Sequence, residues 1–82
     1  MTRLTSNISL ADFRRFLQYM GCEMVGTAGG HEKWRKDGCR RPVVFQTHID
    51  PIPKMVVFSN LRTLGLKRED FELWLDAGKP KK

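Results

Sequence analysis

The sequence predicts an α+β fold, with helices packed on one face of a three-stranded antiparallel sheet. Three observations lead to this fold class. Apolar residues recur at helical spacing in residues 10–20, short stretches of alternating polarity follow between glycine-containing turns, and helical spacing returns after residue 53. Helices and strands that are separated along the chain in this way are typical of α+β domains. A chain of 82 residues is long enough for one such domain.

The first helix is predicted to begin at Ser9, whose hydroxyl can accept a hydrogen bond from the free backbone amides of the first turn. Asp12 follows three residues later, as in a capping box. Gly21 supplies the residue type that most often follows the end of a helix. Between these signals the helix has one apolar face, formed by Leu10, Phe13, Leu17 and Met20.

Three short strands are predicted after this helix. Residues 22–25 alternate in polarity and form the first strand, and the glycine-rich residues 26–30 form a turn. Residues 31–36 form the second strand, which ends at the hairpin signal Asp37-Gly38. Residues 42–48 form the third strand.

Side chains alternate between the two faces of a sheet, so the residues of each strand fall into two groups. In the second strand, one face carries His31, Lys33 and Arg35. Trp34 lies on the opposite face, where we expect it to pack beneath the helices. In the third strand, the same alternation groups Val44, Gln46 and His48.

Residues 54–64 are predicted to be helical, although their sequence permits a second interpretation. Residues 55–58, Met-Val-Val-Phe, have the β-branched and aromatic character of a strand. Val57 and Leu61 instead recur at helical spacing, and Pro53 suits the first turn of a helix, so we predict a helix. A short helix is predicted to follow from residue 67, with an apolar face formed by Phe71, Trp74 and Leu75.

The chain is strongly basic, with 15 lysine and arginine residues against 9 acidic residues, a formal net charge of +6 and an isoelectric point near 9.8. A small basic domain attracts polyanions, so this balance favours nucleic acid as a partner. Part of the excess lies in residues 79–82, Lys-Pro-Lys-Lys, which we expect to form a disordered basic tail after a single domain spanning residues 1–78.

The sequence gives no indication of a membrane segment, a cofactor or a metal site. It contains no apolar run near the roughly 18 residues that cross a bilayer, and residues 1–10 lack the apolar core of a signal peptide. We therefore expect a cytoplasmic protein. The two cysteines, Cys22 and Cys39, lack the closely spaced ligand pairs of a zinc site. We expect Cys22 in the core and Cys39 at the surface.

The order of these elements, together with several individual residues, resembles the HicA toxins, also called the YcfA-like family. In that family a glycine follows the first helix and Gly-Ser-His opens the second strand, and here Gly21, Gly29 and His31 stand at the matching spacing. The resemblance covers residues 10–75 and implies a fold like that of the double-stranded-RNA-binding domain, with the order α-β-β-β-α. Further matches are the Asp37-Gly38 turn, His48 near the end of the third strand, and residues 61–66 before an acidic helix.

The resemblance implies the toxin of a type II toxin–antitoxin system, an endoribonuclease that cleaves mRNA and thereby inhibits translation. A HicB-type antitoxin would be its protein partner, His31 its catalytic residue, and no metal or other cofactor would be required. RNA can be cleaved by attack of its own 2′-hydroxyl on the adjacent phosphate, which needs a base, an acid and cations. Imidazole titrates near neutral pH and can serve as base or acid. A lone histidine after a turn more often has no chemical role, but the matching glycines favour catalysis.

The other candidate site residues surround His31. Gly29 and Gly30 would let an RNA backbone approach closely and could present amides to a phosphate. Lys33 and Arg35, on the same predicted face as His31, would contact phosphates. His48 would supply the second proton transfer if the third strand lies beside the second, and an equally good interpretation makes it a solvent-facing residue at the end of a strand.

The sequence departs from the family pattern beside His31. Gly30 stands where the family usually has serine, and Gly26 and Ala28 stand where it often carries arginine or lysine. The missing hydroxyl and cations weaken phosphate binding at this place. A non-catalytic RNA-binding module with the same fold is therefore the alternative hypothesis, and a protein-interaction domain whose charge serves only solubility is a third.

Overall fold

In the computed structural model of the chain, which describes residues 8–79, helices and strands follow the order predicted from the sequence. The α+β class and the helix predicted within residues 54–64 are confirmed. The strands form one antiparallel sheet in the order β1-β2-β3. The elements are α1 (Leu10–Tyr19), β1 (Glu23–Ala28), β2 (His31–Arg35), β3 (Val43–Gln46), α2 (Lys54–Thr63) and α3 (Arg68–Asp76).

The ends of β1 and β3 differ from the sequence predictions by two residues or more, and the remaining strand boundaries agree with them to within one residue. β1 continues to Ala28 through a register shift between Met24 and Gly26, so only Gly29 and Gly30 remain as the turn that was predicted for residues 26–30. The extension forms because residues 26–28 pair with β2, and pairing decides where a strand ends. β3 is shorter than the predicted 42–48 and ends at Gln46.

The connection between β2 and β3 is longer than a tight hairpin. Asp37 and Gly38 form the predicted turn, closed by a hydrogen bond of 3.1 Å from the amide of Cys39 to the carbonyl oxygen of Lys36. The ladder nevertheless resumes only at Val43. The intervening residues lie at the end of the sheet opposite the glycine turn between β1 and β2.

The hydrophobic core lies between the inner face of the sheet and the helices. Phe13 of α1 meets Phe45 of β3 edge to face at 5.3 Å between ring centroids, and Phe16 meets Phe71 of α3 at 4.7 Å. Edge-to-face pairs of this kind contribute about 1 kcal/mol beyond the area that they bury. The predicted inner position of Trp34 is confirmed, since its side chain is buried in the same core. α1 and α3 are thereby fixed over one face of the sheet.

Both ends of α1 follow the sequence signals, with one difference. The hydroxyl of Ser9 accepts the amide of Asp12 at 3.0 Å, as expected of a helix cap. The carboxylate of Asp12 pairs with Arg15 at 3.3 Å and with Lys79 at 2.8 Å, where a capping box would turn it back to the Ser9 amide. Residues 80–82 of the predicted tail lie outside the described residues.

A side chain of α2 covers the outer edge of β3 at Val44. Asn60 is buried, and its amide nitrogen donates to the carbonyl oxygen of Val44 at 3.1 Å. Its amide oxygen accepts the Val44 backbone N–H at 3.4 Å. One asparagine thus satisfies both backbone groups of Val44, which a further strand would otherwise bond. The pairing also fixes α2 alongside β3.

Glu32 of β2 carries a carboxylate into the interior. Glu32 is only 5% exposed. Its carboxylate oxygens accept hydrogen bonds from Nη2 and Nε of Arg14, at 2.8 and 3.1 Å. They also accept a hydrogen bond from Nε1 of Trp34 at 2.6 Å. Burial alone raises the pKa of this carboxyl, but the bonds from Arg14 and Trp34 and the positive charge of Arg14 outweigh it. The pKa of Glu32 is therefore below its ordinary value.

Replacing Glu32 by glutamine is expected to lower the free energy of unfolding near pH 7 by about 2 kcal/mol, because the amide NH2 would face donors of Arg14 or Trp34. Since the pKa is lower in the folded state than its unfolded value of about 4.3, the contribution of ionised Glu32 is complete above that value. It is lost as the pH falls through the folded-state pKa. Urea unfolding near pH 7 and near pH 3 should therefore give a larger difference between parent and E32Q at the higher pH.

Glu23→Gln is the matched control, because Glu23 is an exposed glutamate of the neighbouring strand. We expect it to change the free energy of unfolding by less than about 0.5 kcal/mol. A difference between parent and E32Q that is the same at both pH values would contradict the role given to the ionised carboxylate.

Candidate active site

His31 opens β2 immediately after a two-residue turn. Gly29 and Gly30 have φ angles of +59° and +80°, the positive values that a type I′ hairpin turn requires at both of its central positions. Side chains are strained in this region of backbone conformation, which explains the Gly-Gly sequence. Ala28 and His31 pair across the turn. The turn therefore sets the first residue of β2 at the rim of the sheet.

The imidazole of His31 is exposed and is oriented by the turn. Its Nδ1 lies 3.3 Å from the carbonyl oxygen of Gly29. A neutral ring that carries its proton on Nδ1 donates to that oxygen and presents Nε2 to solvent with a free lone pair. Such a nitrogen can accept a proton from a bound hydroxyl group.

The outer face of the sheet is open next to His31. His31, Lys33 and Arg35 are exposed while the residues between them are buried, which confirms the predicted alternation of β2. β3 lies beside β2 in the register that pairs His31 with Gln46 and Lys33 with Val44. Lys33 is therefore the cation of β2 nearest in sequence to His31 on this face, and Arg35 stands two residues further along the strand.

His48 lies against the glycine turn, beyond the end of β3. Thr47 holds this segment in place, since its amide and hydroxyl both donate to the carbonyl oxygen of Gly30, at 2.8 and 3.2 Å. A Cβ atom added to Gly30 would lie 3.4 Å from Nδ1 of His48. His31 follows Gly30 directly in the chain, so both histidines flank one glycine. His48 is exposed.

The positions where the sequence departs from the HicA pattern lie around this site. Ala28 pairs with His31 and Gly26 pairs with Lys33, so longer basic side chains at these places would stand beside the histidine and the lysine. Gly30 contacts His48 as described. The small residues leave the β1 side of His31 without the cations that the resemblance would have supplied.

Two shallow depressions border His31. One, of about 270 Å³, lies toward β3 and α2 and is lined in part by Val44, Ile49 and Val56. The other, of about 380 Å³, lies toward β1 and is lined in part by Val25 and Lys33. The apolar lining was not singled out by the sequence analysis. Val44, an apolar residue on the solvent side of an alternating strand, was the signal that could have found it.

A larger depression lies away from both histidines. It has a volume of about 560 Å³ and lies between the connection from β2 to β3 and the C-terminal end of α2. Its size alone does not make it the reactive centre, because its lining includes no histidine or carboxylate that could transfer a proton. The smaller depressions at His31 are therefore the better candidates for a site that transfers protons.

The cysteines are both free, and Cys22 is buried as predicted. Burial raises the pKa of its thiol. Cys39 is half-buried, so its expected surface position is only partly correct. Within residues 8–79, no group of three or more His, Cys, Asp or Glu side chains could hold a metal ion, and no helix in this part of the chain is long and apolar enough to cross a membrane.

Comparison of the chain with protein-family models, with curated proteins and with solved structures finds no match.

The contact between Gly30 and His48 can be tested by two matched substitutions. Gly30→Ala and Gly29→Ala both place a side chain at positive φ, and each is expected to lower the free energy of unfolding by about 1 kcal/mol. Only the methyl group at position 30 meets the His48 ring, because a Cβ at Gly29 has nothing within 4 Å. Gly30→Ala should therefore shift the imidazole resonances of His48 in NMR spectra, whereas Gly29→Ala should leave them in place. Equal shifts in both variants would contradict the described contact.

Proposed function

We propose that the chain is a HicA-like endoribonuclease that cleaves mRNA and inhibits translation, the toxin of a type II toxin–antitoxin pair. The observation that carries the proposal is the placement of His31, an exposed imidazole at the Gly29–Gly30 turn, with Lys33 on the same open face. The order of helices and strands is compatible with the fold of the double-stranded-RNA-binding domain, which we include in the proposal.

In the proposed reaction the RNA supplies its own nucleophile. The 2′-hydroxyl oxygen attacks the adjacent phosphorus while the bond from phosphorus to the 5′ oxygen breaks, which leaves a 2′,3′-cyclic phosphate and a free 5′-hydroxyl group. Nε2 of His31 accepts the proton of the 2′-hydroxyl. DNA lacks this hydroxyl group, so the activity is specific for RNA.

The leaving oxygen requires a proton, for which His48 is the candidate. Its ring lies next to Gly30, the residue before His31, and in this proposal the two imidazoles act on the same phosphodiester. Negative charge develops on the phosphate in the transition state, and the ammonium group of Lys33 stabilises it. Gly29 and Gly30 carry no side chains, so a strand of RNA can approach the turn closely. Arg35 then binds the backbone next to the reacting phosphate.

The partner in this proposal is a HicB-type antitoxin protein that covers the open face in the cytoplasm. The face offers cations together with exposed apolar side chains, among which Val25 is 53% and Val44 37% exposed. An acidic segment with apolar residues would complement both properties. Binding there would block His31 and leave the helices on the other side of the sheet untouched.

A second candidate function is a non-catalytic RNA-binding module. Gly26 and Ala28 favour it, because they pair with Lys33 and His31 and leave the β1 side without cations. A site with fewer cations binds the charged transition state less strongly. Cleavage distinguishes the two candidates, since RNA binding is common to both.

The test is cleavage of a single-stranded mRNA fragment in EDTA by the purified protein and by His31→Ala. We expect His31→Ala to lower the rate by roughly 100- to 10,000-fold, as is usual for the loss of an acid–base group. His48→Ala should cause a smaller loss, and the products of the parent should end in 2′,3′-cyclic phosphate. DNA of the same sequence should remain intact.

Binding of RNA by each variant, measured in parallel, is the control for folding. If the parent and His31→Ala cleave equally, the activity belongs to a contaminating nuclease and the assignment of His31 is wrong. If neither cleaves while both bind RNA, the chain is the non-catalytic module.

A further inference from the structure

A depression of about 560 Å³, larger than either depression at His31, is a cleft rich in arginine that the proposed chemistry does not use. Arg40 and Arg41, from the connection between β2 and β3, line one side of it. Arg62, with Ser59 and Thr63, lines the other side from the last turns of α2. We call these residues the arginine cleft.

The arginines of this cleft are not neutralised by neighbouring acids. The salt bridges of residues 8–79 take their cations from Arg14, Arg15, Arg68 and Lys79. No aspartate or glutamate of this part of the chain lines the cleft. Three exposed arginines therefore line one concave surface, and their like charges repel one another unless an anion lies between them.

The C-terminal end of α2 does not cancel this charge. A helix end carries about half of one negative charge, on its unpaired carbonyl groups. Here Gly65 and Leu66 donate their amides to the carbonyl oxygens of Arg62 and Leu61, at 3.0 and 2.8 Å, which occupies part of that end. The guanidinium groups carry about three positive charges in total, so the potential of the cleft is positive.

α2 connects the arginine cleft with the depression at His31. Val56, in the first part of the helix, lines the depression that includes His31 and Val44. Ser59 and Thr63 follow at spacings of three and four residues, so they lie on the same face of the helix. Asn60 holds this stretch of α2 against Val44 of β3. The two depressions thus lie at the two ends of one shelf formed by α2 and β3.

The length of this shelf suits a few nucleotides. From Val56 to Thr63 the helix rises by about 10 Å, at 1.5 Å per residue. A stacked strand rises by about 3.4 Å per nucleotide, so about three nucleotides span this distance. A phosphate in the arginine cleft and a reacting phosphate at His31 can therefore belong to one strand.

We propose that the arginine cleft binds the phosphodiester backbone of single-stranded RNA about three nucleotides from the bond held at His31. The assignment deepens the proposed ribonuclease function and rests on it for the identity of the strand. Guanidinium groups suit this role, because their planar donors bind two phosphate oxygens at once. The substrate is then a strand of several nucleotides, and a dinucleotide would reach only one end of the shelf.

The test compares two double variants that each remove two positive charges. Arg41→Gln/Arg62→Gln removes charges from the cleft, and Arg15→Gln/Arg68→Gln removes them from α1 and α3, where each arginine belongs to a surface ion pair. The probe is a fluorescent 2′-deoxy oligonucleotide of about eight nucleotides, within the usual site size of about 4–16 for a small single-strand-binding domain. It cannot be cleaved through a 2′-hydroxyl, so binding is measured apart from catalysis.

We expect the cleft variant to bind this probe at least about tenfold more weakly, since charge-assisted hydrogen bonds are lost. The slope of the logarithm of the binding constant against the logarithm of salt concentration should fall by about 1.4, that is, about 0.7 for each lost phosphate contact. The control variant should keep the slope of the parent. A dinucleotide, which reaches only one end of the shelf, should bind the parent more weakly than the eight-nucleotide probe does.

Three outcomes would overturn the assignment. Equal weakening by both double variants would mean that the arginines act only through net charge. An unchanged slope in the cleft variant, with RNA cleavage by the parent intact, would reject the cleft while the ribonuclease function stands. Tighter binding of polyglutamate than of the oligonucleotide, lost in the cleft variant, would identify the cleft as a site for an acidic protein segment.

If the cleft variant alone loses oligonucleotide binding and the parent does not cleave RNA, the cleft stands and the ribonuclease function fails.

Discussion

A carboxylate buried beneath a sheet must be matched by donors from the elements that cover it, and Glu32 imposes this requirement on the whole domain. Its two donors come from different elements, Arg14 from α1 and Trp34 from β2 itself. The pairing is satisfied only when α1 has one rotation about its axis and β2 turns its even-numbered side chains inward. An unmatched charge at this depth would be strongly destabilising. The rest of the structure is arranged around that condition.

The inward direction of Glu32 also determines which side chains the outer face of the sheet carries. Because Glu32 and Trp34 point inward, the residues between and beside them must point outward, and these are His31, Lys33 and Arg35. The glycine turn then places His31 at the rim, where its Nδ1 reaches the Gly29 carbonyl oxygen. The residues of the outer face are thus fixed by an ion pair on the other side of the sheet.

Local patterns in the sequence were sufficient for some of these features. The period of about 3.6 predicted α1, and the period of 2 predicted the shared face of His31, Lys33 and Arg35. Leu61, four residues after Val57, together with Pro53, favoured helix over strand in α2, where Val57 and Leu61 are both buried. In each case the decisive residues lie a few positions apart in one helix or strand. The spacing of apolar residues along the sequence therefore indicates which face of that element is buried.

Features that depend on pairing between distant residues could not be predicted in this way. Arg14 and Glu32 lie 18 residues apart, and nothing distinguishes either from a solvated charge until α1 is placed on the sheet. The end of β1 was predicted too early, because a glycine in a strand and a glycine in a turn look alike before the register is known. The contact of His48 with Gly30 depends on hydrogen bonds made by Thr47, and the arginine cleft joins a loop to a helix end. All four features depend on how different elements are placed relative to one another in the fold.

The two hydrogen bonds between Asn60 and Val44 also bear on how the protein behaves at high concentration. A sheet grows by adding strands at an edge whose amide and carbonyl groups are free, and this growth is the first step of many fibrils. At Val44 both groups are occupied by an intramolecular partner that cannot propagate further. Loss of that asparagine would therefore do more than loosen one helix. It would also leave the amide and carbonyl groups of Val44 free to bond a strand of another copy of the chain.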